Sequence, residues 1–184
     1  MSSTLSRRRF FQLAGLATLA FPLRGLAALD TSGGDEIVLL NDIHLTGIPE
    51  EKIPANAKAD GEHLRTAVKQ ILALPKKPAA VIINGDLALQ IGTAADYAVV
   101  RELIAPLRDA GIPLHLTLGN HDVRDVFRQA FPEMPSASAL KDHRHNSIID
   151  LPSTRLILLD TLDQTPGPGG RLGAEQIAWM LAKI

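Results

Sequence analysis

Three short polar runs carry side chains that could do chemistry together: Asn41-Asp42-Ile43-His44, Asn84-Gly85-Asp86 and Gly119-Asn120-His121-Asp122. They supply carboxylates, imidazoles and amide oxygens. Such groups bind borderline divalent ions such as zinc, manganese or iron, and an imidazole can also carry a proton near neutral pH. Asp42 and His44 alternate with Ile43, so both point to one side if strand geometry persists. Taken singly, each run has an ordinary reading. An Asp-x-His pair is often a loop aspartate beside an exposed histidine, and an aspartate after a glycine often makes only a turn. Taken together they share a context, because each ends a hydrophobic run. Carboxyl ends of strands are where open α/β sheets hold their ligands, so the three runs point to one site.

The elements that must position them follow from periodicity. Residues 36–41 read as a strand, and 45–60, with Pro49 and Pro54, as a long loop over its end. Residues 61–74 place Leu64, Val68, Ile71 and Leu72 at helical spacing before Pro75 stops them. A strand over 79–84, a helix over 93–110 disturbed at Pro106, a strand over 112–118 and a helix over 123–131 come next. This alternation predicts a largely parallel sheet with crossover helices. Farther on, 136–144 is a polar loop, 146–151 and 155–160 pair as a hairpin around Pro152-Ser153, and 165–170 is Pro/Gly-rich loop. Residues 173–184 place Ile177, Met180, Leu181 and Ile184 on one helical face.

Composition limits what the site can belong to. The chain has 184 residues, 46% of them hydrophobic, which is enough for one domain with a core. Cysteine is absent, which excludes disulfides, thiolate metal sites and a cysteine nucleophile. Arg7, Arg8, Arg9 and Arg24 are the only charges before Asp30; without them, 15 of the 19 basic residues face 20 acidic ones, a balance of -5. That body has no nucleic-acid footprint. Ser6-Arg7-Arg8-Arg9-Phe10-Phe11-Gln12 resembles the twin-arginine export motif, and an apolar stretch follows it. Residues 1–29 therefore read as a signal peptide, with an uncleaved interfacial anchor as the alternative, and 30–184 as the body. The expected partner is the twin-arginine export machinery, and the expected location is periplasmic or secreted.

Asp-x-His, then Gly-Asp, then Gly-Asn-His-Asp, each ending a strand and separated by one crossover unit, resembles the calcineurin-like metallophosphoesterase family. The resemblance implies an αββα sandwich with two divalent metal ions (manganese, iron or zinc) over the strand ends. It implies that Asp42 and His44 bind the first metal, Asp86 bridges both, and Asn120 binds the second. His121 is then a catalytic group beside the phosphate, Asp122 orients it, and Asn120, His121 and Arg124 meet the substrate. The reaction implied is hydrolysis of a small phosphate ester by attack of a metal-activated water. Gly85-Asp86-Leu87-Ala88, Tyr97 and Gly119-Asn120-His121-Asp122-Val123-Arg124 are similar to the cyclic-nucleotide and glycerophosphodiester phosphodiesterase branch. Arg124 could contact a phosphate or pair with Asp122 or Asp125.

The family pattern also implies three later histidines, two of them in a Gly-His-x-His motif, that this sequence does not contain. His63 begins a helix, His115 lies inside a strand, and His143-Arg144-His145 lacks the glycine and falls in the polar loop. The expectation is therefore an incomplete sandwich, the amino-terminal portion of the domain, holding at most one weakly bound metal and turning over little. The alternative is a non-catalytic exported binding or interaction module, a truncated pseudoenzyme.

Overall fold

In a computed structural model of the chain, the structure describes residues 36–141, 143–167 and 169–184. The twin-arginine segment lies outside the described residues. Three strands, β1 (Ile37–Asn41), β2 (Ala80–Asn84) and β3 (Leu114–Leu116), form an all-parallel sheet with β2 in the centre. The crossovers are helices α1 (Asp60–Leu72) and α2 (Ala94–Asp109); α3 (Arg124–Ala130) follows β3. An antiparallel hairpin of β4 (Ser147–Asp150) and β5 (Arg155–Leu158) comes next, then α4 (Ala174–Leu181). The result is a mixed α/β fold with a parallel sheet and helices.

Register explains the layers. Val38 and Leu40 of β1 pair with Val81 and Ile83 of β2, which pair with Leu114 and Leu116 of β3, so all six share one face. The helices cover that face. α1 contributes Leu64, Val68 and Ile71, α2 contributes Tyr97, Val100, Leu103, Ile104 and Leu107, and α3 contributes Phe127. Burial of each such side chain stabilises by about 1.5–3 kcal/mol. On the opposite face, Ala80 and Ile82 pack against Ile149, with Leu151, Leu156 and Leu158 of the hairpin region around them. Central β2 is thus covered on both sides, which is why its Ala-Val-Ile-Ile run does not alternate. β1 lies at the edge of this sheet, and there Ile37 and Leu39 remain exposed.

Local signals fix the helices. Thr93 caps α2: its hydroxyl accepts from Asp96 N, and the Asp96 carboxylate accepts from Thr93 N, a reciprocal box. At the far end Lys77 Nζ donates to Ala110 O at 2.7 Å, satisfying a terminal carbonyl. The expected disturbance at Pro106 does not stop the helix, which runs on to Asp109. Pro106 is exposed, so the missing N–H costs a bond on the solvent side. α4 differs more from expectation. Ile177 and Leu181 are exposed, and the buried residue is Gln176, whose amide donates to the carbonyls of Asp160 and Leu172. No helix among the described residues is long and apolar enough to cross a membrane.

Candidate metal centre at the strand ends

All three polar runs leave the carboxyl ends of β1, β2 and β3, side by side. The chain turns sharply there. Asp42, His44 and Asp86 have φ of 50°, 42° and 44°, and Gly85 has φ of 69°. Left-handed backbone costs a residue with a side chain roughly 1–2 kcal/mol. Asp42 and His44 therefore do not continue strand geometry, and they serve different neighbours. The strain is held by a ladder between loops: His44 N donates to Asp86 O (3.0 Å), Leu45 N to Leu87 O (2.9 Å) and Leu89 N to Leu45 O (2.8 Å).

His44, Asp86 and His121 come together, each offering one ligand atom within 4.8 Å of the others. His44 Nε2 is 4.0 Å from Asp86 Oδ2, and the two imidazole rings meet edge to face at 5.1 Å. Nδ1 of His44 and Nδ1 of His121 are both buried with no hydrogen-bond partner. A buried polar nitrogen left unpaired costs about 1–3 kcal/mol. One nitrogen of each ring groups with the Asp86 carboxylate, a donor set that suits a divalent cation, so the residues present fit a metal.

Asp86 also faces a second space. With Asp42, Asn84, Thr117 and Asn120 it lines a cavity of about 300 Å³. Asp42 and Asn120 thus lie on the cavity side of Asp86 in this grouping, and His44 and His121 lie in the imidazole cluster. Asp86 belongs to both, with Oδ1 accepting His121 N at 3.0 Å. Asn84 belongs to the second polar run, and Thr117, whose hydroxyl donates to Asn84 Oδ1 at 3.0 Å, was not expected here. The signal for Thr117 is register: its N–H donates to Ile83 O, which seats it beside the end of β2. A larger cavity of about 760 Å³, beside α3 and the loop after it, shares no residue with either group.

Asp122 takes a position different from the one expected. It is fully buried, and its carboxylate accepts from Gly119 N (2.9 Å), Leu87 N (3.2 Å), Ala88 N (3.2 Å) and the Tyr97 hydroxyl (3.2 Å). It ties the second strand-end loop to the third through their backbones, while the ring Nδ1 of His121 has no partner. Burial pushes the Asp122 carboxyl above its ordinary range, and the N–H donors pull the other way. Burial and the Asp122 carboxylate push the Tyr97 phenol far up, so it stays protonated.

Arg124 reaches a partner that its sequence neighbours did not indicate. Its guanidinium grips Asp160 with two bonds (Nε–Oδ2 2.7 Å, Nη2–Oδ1 3.0 Å) and also donates to Leu162 O. Asp160 is completely buried and further accepts from His145 N and Leu162 N. The His143-Arg144-His145 run, expected as polar loop, is buried at its last two residues. Arg144 donates to Asp160 O and Arg171 O, and the His145 ring lies 4.7 Å from Phe127.

Fold and site together define an α/β protein whose strand-end loops gather ligands for a divalent ion. Residues 36–167 match the calcineurin-like phosphoesterases, and the chain belongs to that family, whose chemistry is metal-dependent phosphoester hydrolysis. No curated protein matches the chain.

Proposed function

We propose that this protein acts on phosphodiesters outside the cytoplasm, through a divalent ion held between His44, Asp86 and His121. The observation that carries this reading is Asp86 itself. Its carboxylate groups with one ring nitrogen each of His44 and His121, and Asp86 also lines the cavity that Asp42 and Asn120 share. When bound there, divalent ions would neutralise phosphoryl oxygens and acidify an attacking water. His44 and Asp86 would hold the ion on the imidazole side, and Asp42 and Asn120 would extend the ligand set across the cavity. The amide of Asn120 offers a neutral oxygen to a cation and an N–H to a phosphate. His121 is held at its backbone by Asp86 and would complete the ligand set on the imidazole side. The phosphodiester preference rests on the likeness of residues 85–88, Tyr97 and 119–124 to that branch, and export rests on the paired arginines.

The test is a manganese and zinc titration of the full chain by calorimetry, with bis(p-nitrophenyl) phosphate and p-nitrophenyl phosphate as substrates. One equivalent should bind and support slow, metal-dependent release of nitrophenol, faster from the diester. Absence of metal binding would refute the reading, and binding without turnover would favour the exported non-catalytic module. For export, replacing Arg7 and Arg8 by lysine should leave the protein in the cytoplasmic fraction; unchanged fractionation would remove that part.

A further inference from the structure

The loops that carry the candidate ligands converge on a single turn of helix. We infer that the first turn of α2, through Asp96 and Tyr97, is a positioning element that sets the spacing of His44, Asp86 and His121, with the Tyr97 hydroxyl as its central atom. The inference deepens the metal-site reading and rests on it for the ligands concerned.

Each loop is fastened separately. Three residues past His44, Gly47 N donates to Asp96 Oδ1 at 2.8 Å. Gly47 lies so close to the helix that a Cβ on it would be 2.6 Å from the carbonyl carbon of Ala95. The second loop docks through Gly92, where a Cβ would be 2.4 Å from the Tyr97 hydroxyl, and Gly92 N donates to His121 O at 2.8 Å. On the third loop, the same hydroxyl accepts from Val123 N at 2.9 Å and donates to Asp122 at 3.2 Å. Asp122 in turn holds Leu87 N and Ala88 N, immediately after Asp86.

The geometry separates this role from plain core packing. The Tyr97 ring is fully buried, edge-on to Phe127 at 5.9 Å and Phe131 at 6.2 Å, so the hydroxyl has a fixed origin. Both of its hydrogen bonds end within two residues of His121, and a phenylalanine would fill the same core space without making either. Asp96 uses one oxygen for the Thr93 cap and the other for Gly47, so the helix start and the first loop share one carboxylate. Groups that orient metal ligands from behind typically change metal affinity 10–100-fold when removed.

The experiment compares the full chain with Tyr97→Phe, Asp96→Asn and Val100→Ala. Val100 is fully buried on the same helix and belongs to the core cluster, so its truncation reports core damage alone. Two quantities are read well below the unfolding temperature: the manganese dissociation constant, and the imidazole resonances of His44 and His121 in the metal-free protein. Tyr97→Phe should weaken manganese binding on the order of ten-fold and shift both sets of resonances. Asp96→Asn should act in the same direction, and it carries the test if Tyr97→Phe does not fold. Val100→Ala should lower the melting temperature and leave both readouts in place. The inference is overturned if the Tyr97 and Asp96 variants stay within two-fold of the parent with unmoved resonances, or if Val100→Ala moves them equally. A parent chain that binds no manganese would defeat the metal reading, while the imidazole resonances would still decide the positioning role.

Discussion

At Gly119 the third strand end packs directly against the second, and adding one methyl group there is a direct test of the site. A Cβ at this position would be 2.2 Å from Asp86 Oδ1 and 2.4 Å from Asp86 N. Comfortable contacts begin near ~3.5 Å, so the shortfall exceeds an ångström. The carboxylate cannot swing away without losing His121 N at 3.0 Å, and the Asp86 backbone is held by His44 N at 3.0 Å. Losing a hydrogen bond to a charged group costs about 1.5–3 kcal/mol. Overpacking adds about 1–3 kcal/mol. Gly119→Ala should therefore destabilise the protein by roughly 3–5 kcal/mol, somewhat less than the upper limits combined because the turn can relax. Metal affinity should fall about 10–100-fold, the range seen when the support of a ligand is disturbed. Gly111→Ala is the matched control. Its φ of +71° strains any side chain, but nothing lies within 4 Å of the new Cβ. It should cost about 1–2 kcal/mol and leave metal binding intact. Urea unfolding and manganese titration of the two variants decide the matter. If Gly119→Ala binds manganese as tightly as Gly111→Ala, the spacing of Asp86 and His121 does not govern the site.

Two further outcomes are expected. Burial lowers the His145 imidazole below its ordinary value, His115 pushes the same way, and the Asp160 carboxylate and a bond to Leu116 oppose them. A lowered folded value means that the neutral ring's contribution to stability is complete above pH ~6.5 and is lost as pH falls from there through the lowered value. His145→Gln should reduce the drop in unfolding free energy between pH 7.5 and pH 5 without abolishing it, because burial lowers His115 as well; an unchanged drop would contradict the assignment. Arg124→Met should destabilise by about 3 kcal/mol in urea unfolding, since it leaves the buried Asp160 carboxylate without its two-pronged partner. A cost below about 1 kcal/mol would mean that the pair is not structural, and would return Arg124 to the substrate contact that its sequence position suggests.

The layered architecture was legible because its signals are local. The hydrophobic run of β2 and the spacing of Leu64, Val68 and Ile71 each specify an element without help from distant residues. β3 is shorter than the hydrophobic run 112–118. Even so, Pro113 O and Thr117 N still bond to Val81 and Ile83, so the run is seated on β2 throughout. The site was legible as a set of three strand ends, and its interior division was not. Left-handed backbone at Asp42 and His44 turns an alternating pair into residues with separate neighbours, and alternation alone cannot reveal that. Asp122 looked like a partner of the histidine before it, but its hydrogen-bond donors come from Leu87, Ala88, Gly119 and Tyr97. The burial of Arg144 and His145 escaped notice for a related reason. Those residues are polar by type, and their burial depends on Asp160 and Arg171, which lie far along the chain.

The backbone-to-carboxylate bonds that define the centre join residues 34 or 35 positions apart: Leu87 and Ala88 with Asp122, and Asp86 with His121. In a parallel sheet such partners cannot meet through a tight hairpin, so the β2–α2–β3 crossover must close first, and the β1–α1–β2 crossover must close before His44 N meets Asp86 O. Long-range closures of this kind slow folding. The centre therefore cannot exist in a half-folded chain, and it is lost when any one of the three strands leaves the sheet. An ion that binds only the finished arrangement pulls the folding equilibrium toward it by mass action. In that sense the centre is a latch: filling it would hold together the three strand ends from which it is built.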